Sequence, residues 1–440
     1  MTTTLSLFRA SRQFLLDCYT GAGGYETGAY LIKFPNESDA KYANRQELGV
    51  YPNYVSKIVD IYSGFLWQRE PIREGPDLYA RFTANANGAG KSLNWLLQVF
   101  QRQAMLLGTV YVLVDKSERV AATRADDRGV YVVMRSPDDL IGYVLDGMGG
   151  FARCCFSEIQ DGVTRYRHFD AEGWKISSDA RGEHVLAEGS YGFGRPPVVA
   201  LHSTIPLREG DVEARPWVYP LAQLNWDLYN QCSELRWLFR SQAFAMLKLP
   251  VKDRAERDRL AQMVIGPNNA LAYDPSDGGE PGFIAPPPEP VTAYQANIAA
   301  TIERIYALAN LEFVGGVQQS GVALAFHFQE ANRTLGMMAA NLEQAERQIA
   351  GFVCAWNGIE FQRNIAYPRD FNLTDLAQEL TLAMESVQLG VSPTFDQEVK
   401  KRVARQVLGH GVQQATMDQI DREIEAGGDI YGDRAAKAAA

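Results

Sequence analysis

The sequence predicts an α+β fold, in which a block of short β-rich runs lies between helical segments. Three patterns carry that expectation. Apolar residues step by three and four on both sides of the chain's middle, as amphipathic helices require. Between them, runs such as Val110–Val114, Val130–Met134 and Val198–His202 are rich in β-branched residues and punctuated by Gly, Asp and Pro. Finally, one stripe from Phe328 to Trp356 keeps the helical rhythm without a miss.

In chain order, Val55, Ile58, Tyr62 and Phe65 give one apolar helix face, which Pro71 ends. The polar, Ala- and Asn-rich stretch Tyr79–Gly90 predicts a loop. Ser92 then caps a helix with the stripe Leu93, Leu96, Leu97, Phe100, Ala104 and Leu107, closed by Gly108. The runs Phe151–Phe156 and Thr164–Phe169 join the other β-rich runs in one mostly antiparallel sheet, packed on the preceding helices. Helix resumes at Pro220, where Leu221, Leu224, Leu228, Leu235 and Leu238 continue to Leu249, with Gln231 and Gln242 at the missing steps. Trp226, Tyr229, Trp237 and Phe244 add a second apolar stripe, and a helix apolar on two faces needs cover on both. Prolines and glycines break up Lys248–Pro290, which reads as an extended excursion with a short helix at Ala255–Val264.

Val291–Leu311 is helical, and a glycine-bearing loop, Glu312–Gly321, follows. The stripe Phe328, Ala331, Leu335, Met338, Leu342, Ala345, Ile349, Phe352 and Trp356 places Val322–Asn357 in one helix of roughly 50 Å. Its spacing suits either a coiled coil or a helix lying along its own domain, and Gly336 is expected to soften it. Two helices, Leu373–Leu389 and Thr394–Leu408, close the prediction; Ser392–Pro393 supplies an N-cap and a first-turn proline to the second.

Composition narrows the function classes. Forty-three basic and 53 acidic residues give a formal charge of −10, unlike a surface built to grip nucleic acid. The five cysteines (Cys18, Cys154, Cys155, Cys232, Cys354) form no C-x-x-C pair, and neighbours on a strand point to opposite faces. Five reduced thiols are expected. No secretory start and no run of about 18 apolar residues is seen, so no membrane contact and an aqueous compartment are expected.

Gly90–Lys91–Ser92 invites a phosphate-loop reading, and Val110–Asp115 could be its acidic strand. That motif wraps phosphate in backbone N–H groups and needs a glycine where Asn85 stands. No apolar strand precedes it. The histidines, His168, His184, His202, His327 and His410, have no metal-ligand spacing, and no nucleophile motif occurs. No catalytic residue, metal site or cofactor is expected, and the chain is read as not an enzyme.

Three ordered stretches carry a resemblance. The first runs from Tyr30–Leu31 through Glu37–Ser38, Tyr42, Arg45, Asn53, Tyr62 and Phe65 to Pro71. Arg135–Ser136–Pro137 with Leu140–Ile141 is the second. Pro220–Leu221 through Leu249, then Tyr294–Leu311, then Gly315–Trp356 is the third, and Gly390–Val391–Ser392 follows. Over roughly residues 25–410 the chain resembles the portal, or head–tail connector, proteins of tailed bacteriophages; the order and spacing of the motifs carry the specificity.

That resemblance implies a portal fold. Residues 1–215 would form an α/β wing, 216–247 the first stem helix, 248–290 an extended clip and 291–311 the second stem helix. A tunnel loop at 312–321 would lead to the long wing helix and return at 322–371 and a helical crown at 372–440. It further implies a ring of identical subunits, usually twelve, at one capsid vertex of the virion, assembled in the bacterial cytoplasm. Double-stranded DNA would pass without sequence specificity along Glu312, Val314, Gly315, Gly316, Val317, Gln318 and Gln319. The clip residues Tyr273, Asp274, Pro275, Phe283 and Ile284 would dock the terminase large subunit and then the head–tail adaptor, beside the major capsid protein. The competing readings are a phosphate-loop motor subunit that hydrolyses ATP and a soluble adaptor without a channel.

Overall fold

Five helices open the chain, α1 Arg9–Thr20, α2 Asp39–Leu48, α3 Tyr54–Leu66, α4 Asp77–Ala84 and α5 Leu93–Leu107, and all but the polar α2, which buries only Arg45, are set by apolar spacing. The computed structural model describes residues 8–116, 129–147, 149–242, 246–250, 253, 255, 270–273, 282–284, 289–311, 321–362, 364–369, 371, 392–408 and 414–425. The described residues fall into two units, 1–371 and 372–440. Residues 79–84 are not the loop that composition suggested. Tyr79 and Phe82, three apart, bury one side of α4 in the core; with only two apolar anchors in eight residues, the stripe was too short to stand out. Ser92 does cap α5, its side chain accepting the Trp95 N–H. Gly108 ends α5 at φ +88°, and a Cβ there would lie 2.1 Å from the Ala214 carbonyl oxygen, so only glycine fits.

The β-rich block forms two sheets rather than one. A three-stranded antiparallel sheet has the order β3–β2–β9, from β2 Thr109–Lys116, β3 Val130–Arg135 and β9 Val198–His202. A five-stranded antiparallel meander follows chain order: β4 Leu140–Leu145, β5 Phe151–Gln160, β6 Val163–Phe169, β7 Gly173–Ser177 and β8 Val185–Ser190. The switch between sheets is local. Ser136 caps a 3-10 turn at Pro137–Asp139, and the Asp139 side chain returns a bond to the Ser136 N–H. The proline and this capping box end β3 and turn the chain into the second sheet.

Strand β2 explains why its sequence reads as an unbroken apolar run. Val110, Val112 and Val114 face the helical core, while Tyr111 and Leu113 join Cys154, Phe156 and Phe169 in a second cluster. A strand covered on both faces needs no polar alternation. Ion pairs tie the sheets together: Arg167 reaches Asp115 at 2.6 Å, and Arg135 reaches Glu158 at 2.6 Å.

After the sheets come α6 Tyr219–Gln242, strands β10 Met246–Pro250, β11 Ala270–Tyr273 and β12 Gly282–Ile284, then α7 Glu289–Leu308 and α8 Gly321–Ala355. The expected helix from Leu221 to Leu249 therefore stops at Gln242. Met246–Pro250 instead forms a strand, paired with two segments that lie 20 or more residues further along the chain. Of the short helix expected at 255–264, nearly all lies outside the described residues.

Helix α8 runs unbroken through Gly336. Its stripe from Phe328 to Phe352 is buried in the same core as α3 and α5, so the chain itself covers it and no coiled-coil partner is needed. A two-stranded sheet pairs β1 Ile72–Arg73 with β13 Ile365–Ala366 beside it. In the second unit, α9 Pro393–Leu408 begins with Ser392 accepting the Phe395 N–H at 3.1 Å, and α10 Gln414–Glu425 follows. Lys401 bonds Glu398 and Glu425, tying α9 to α10. The helix expected over 373–389 lies outside the described residues.

Candidate functional site

The loop that imitates a phosphate cradle is closed by its own side chains. Asn85 Oδ1 accepts the Gly90 N–H at 2.6 Å, and Asn87 Oδ1 accepts those of Ala89 and Lys91 at 2.9 and 3.0 Å. Backbone donors that a phosphate would require are thus spent on two asparagines. The Lys91 ammonium lies 4.5 Å over the Trp95 ring instead of reaching into the loop. Asn85, which departs from the motif, is itself the group that occupies the cradle.

A second constellation, not anticipated from sequence, is buried in the five-stranded sheet. His168 Nε2 is 2.9 Å from Ser177 Oγ and 3.8 Å from Cys155 Sγ. Burial pushes the Cys155 thiol up to about 12 and the His168 imidazole down. Neither group is then charged near neutral pH, so the pair lacks the thiolate that nucleophilic chemistry needs. Cys154, on the opposite side of β5, packs in the cluster around Tyr111. Among the described residues, no group of three His, Cys, Asp or Glu side chains could hold a metal ion, and no helix is long and apolar enough to cross a membrane.

Helices α6 and α7 lie side by side. Gln231 meets Thr301 at 3.2 Å, and Glu234 accepts from the Tyr294 hydroxyl at 3.1 Å. The partner number falls as the α6 number rises, so the helices are antiparallel, and the residues between them leave and return at the same end. Helix α6 is covered on one side by the N-terminal segment. There Asn225 Oδ1 accepts the N–H groups of Tyr54 and Val55, Trp226 donates to the Tyr30 carbonyl, and Asn230 Oδ1 accepts from Ile32. Buried Arg45 on α2 pairs with Glu37 and also reaches Ser233 on α6, and its guanidinium holds the Glu37 carboxyl below the usual range.

The far end of α6 is barer. Phe239 is 45% exposed, and it frames with Trp237, Arg236, Arg240 and Leu48 a groove of about 280 Å³. On α7, Ala293, Ala296, Ala299 and Ala307 are exposed. Of the second apolar stripe of α6, Tyr229 is buried and Trp226 and Trp237 are half-buried, while Phe244 lies outside the described residues.

Between these helices, β10 pairs in parallel with β11 and antiparallel with β12. Of the residues expected to dock partners, Phe283 and Ile284 pair with Leu247 and Met246 at the start of β10, whereas Tyr273 pairs with Pro250 at its other end. The sheet thus separates Tyr273 from the other two; Asp274 and Pro275 lie outside the described residues. So do Glu312, Val314, Gly315, Gly316, Val317, Gln318 and Gln319, between Leu311 and α8.

Another concavity, of about 740 Å³, opens beside β4. Its lining comes from three distant parts of the sequence, so no local pattern announces it.

No protein-family model and no curated protein matches the sequence. Solved structures do, among them particle and neck structures of gene transfer agents. The first is the virion of a native gene transfer agent particle, 15% identical with TM-score 0.40, covering 93% of this chain and 99% of that one. A neck of an empty particle computed with C6 symmetry is 15% identical with TM-score 0.43, covering 81% and 90%. A neck of a native particle computed with C12 symmetry is 13% identical with TM-score 0.39, covering 86% and 95%. At these values the functional reading rests on the chain's own geometry.

Proposed function

We propose that this chain is a portal-type subunit, which assembles into a ring at one vertex of a phage-like particle. Double-stranded DNA passes through the ring during packaging and ejection. The terminase large subunit and later a head–tail adaptor dock on it, with the major capsid protein around it. The observation that carries this reading is the antiparallel pair α6 and α7, with a three-stranded excursion inserted at their common end. Copies repeated about an axis would cover the bare face of each pair and collect every excursion on one rim, where successive partners can dock. Residues 312–320, which connect α7 to α8, are the segment proposed to face the DNA.

Charge supports the same reading. Twelve copies at −10 each would carry about −120, so DNA is repelled from the ring as a whole and slides. The subunit performs no hydrolysis in this proposal; the docked motor does. Mass photometry and negative-stain imaging of the purified chain are expected to show rings with a central hole near twelve times 48.9 kDa, or roughly 590 kDa. A chain that stays monomeric or dimeric at physiological salt would overturn the proposal.

A further inference from the structure

The five-stranded sheet ends in two unlike edges, β4 and β8, neither paired beyond its one neighbour among the described residues. Along β4 lies the groove of about 740 Å³, and Leu140, Ile141, Gly142 and Tyr143 all line it. The groove takes this run of β4 and no residue of β5 into its lining, so it lies along the side of β4 that β5 leaves open. The β4–β5 register skips Ile141, which bulges there. Its far wall includes Phe8 and the loop bearing Ile205 and Leu207, which are 72% and 86% exposed. Arg12, at the floor, is already answered by Asp138 and Glu213.

Strand β8 is bare to a degree that sheet edges usually avoid. Five of its six residues are exposed, among them Val185 at 44% and Leu186 at 54%. It has no proline and no lysine to deter pairing, and of the usual edge defences carries one bulge and one charge, Glu188. Its register on β7 passes from Ser177–Val185 to Ile176–Ala187 and skips Leu186, which stands out as a bulge.

We propose that β8 of one copy enters the groove of the next copy and pairs with the open edge of its β4, continuing the sheet across the subunit boundary. This rests on the ring reading and names the contact that closes the ring. A ring of more than two copies needs two different, mutually complementary surfaces on each copy. The two unlike edges of this sheet are such a pair. Pairing covers Val185 and Leu186 against Ile205 and Leu207, gives both edges backbone partners, and brings Glu188, the one charged residue of β8, toward exposed Arg215 on the groove's rim.

The test uses the full-length chain with Ile141→Cys combined in turn with Leu186→Cys, Ala187→Cys and Glu188→Cys, to span the possible registers. Assembly is first measured by mass photometry, and the samples are then oxidised and run without reductant. At least one combination is expected to give a ladder of covalent multimers that is absent from each single variant and from the unaltered chain. Rings that form normally but give no ladder in any combination would overturn this contact and leave the ring reading standing. Covalent dimers from Leu186→Cys or Ile141→Cys alone would overturn it too, because like edges would then meet. Absence of any ring overturns both. Independently, Leu186→Pro falls on a residue outside the β7 register. It is expected to lower ring yield about tenfold or more while leaving the subunit's circular dichroism unchanged; unchanged ring yield would count against the contact.

Discussion

Glu346 shows how much one buried side chain can hold. It lies on α8 with no exposed surface, bonded by Arg73 Nε and Nη2 at 2.5 and 2.9 Å, by the Tyr79 hydroxyl at 2.7 Å and by the Tyr367 hydroxyl. It therefore joins α8 to β1, α4 and the chain after β13. Glu346→Gln is expected to lower unfolding stability by about 3 kcal/mol, because Arg73 keeps its charge in a half-closed site. Asp39, paired with Lys33 but 97% exposed, is the contrast: Asp39→Asn should leave the urea midpoint unchanged. His202 gives a pH dependence. Burial holds its imidazole down to about 4, and the neutral ring's Nδ1 lies 2.8 Å from Thr109 Oγ1, which in turn accepts the Ala214 N–H. An unfolded imidazole titrates near 6.5, so the unfolded chain takes the proton first as pH falls. Stability present above about 6.5 is then lost progressively toward 4, and His168, shifted the same way, adds to the loss. Urea midpoints measured from pH 7 to 4.5 should fall, and His202→Asn should flatten that fall; an unaltered slope would refute the assignment.

At the scale of elements, helix starts and stops decide which segments can meet. Asn225 is buried on α6, yet it caps α3: it accepts from Tyr54 and Val55 and donates to the Pro52 carbonyl at 2.8 Å. Asn225→Ala leaves the buried Val55 N–H without an acceptor, while the Tyr54 N–H keeps the Pro52 carbonyl at 3.0 Å, and is expected to cost about 2 kcal/mol, read from urea denaturation. A smaller loss than that of an exposed helix cap would show that water replaces the amide. The Asn85–Asn87 turn acts at the same scale, consuming the loop donors before α5. ATP with magnesium should give no thermal shift, and Lys91→Ala should assemble as the unaltered chain does. A nucleotide-dependent shift abolished by Lys91→Ala would restore the motor reading.

At the scale of the whole molecule, β2 is a strand that both core clusters share. Helices pack on one of its faces and the five-stranded sheet on the other, so the three-stranded sheet is a layer between two others. Among the described residues the five-stranded sheet is open at both edges and the far end of α6 is partly bare. Unfilled borders of this kind are what the ring proposal calls for, and ring mass and cross-links are the measurements that test it.

Local chemistry was legible in the sequence wherever one stripe or one cap decided the outcome. The α5 stripe with Ser92 and Gly108, the unbroken stripe of α8, and Ser392–Pro393 at α9 each depend on residues a few positions apart. Only the tertiary structure decided what depends on distant partners. The division into two sheets, the short α4, the end of α6, the buried Glu346 cluster and the groove beside β4 all follow from residues far apart in sequence. The same reason separates the docking residues: Tyr273 and Phe283 are ten positions apart, but parallel and antiparallel pairing send them to opposite ends of β10. Periodicity reports which face of an element is apolar, whereas which neighbour covers that face is settled by packing across the whole chain.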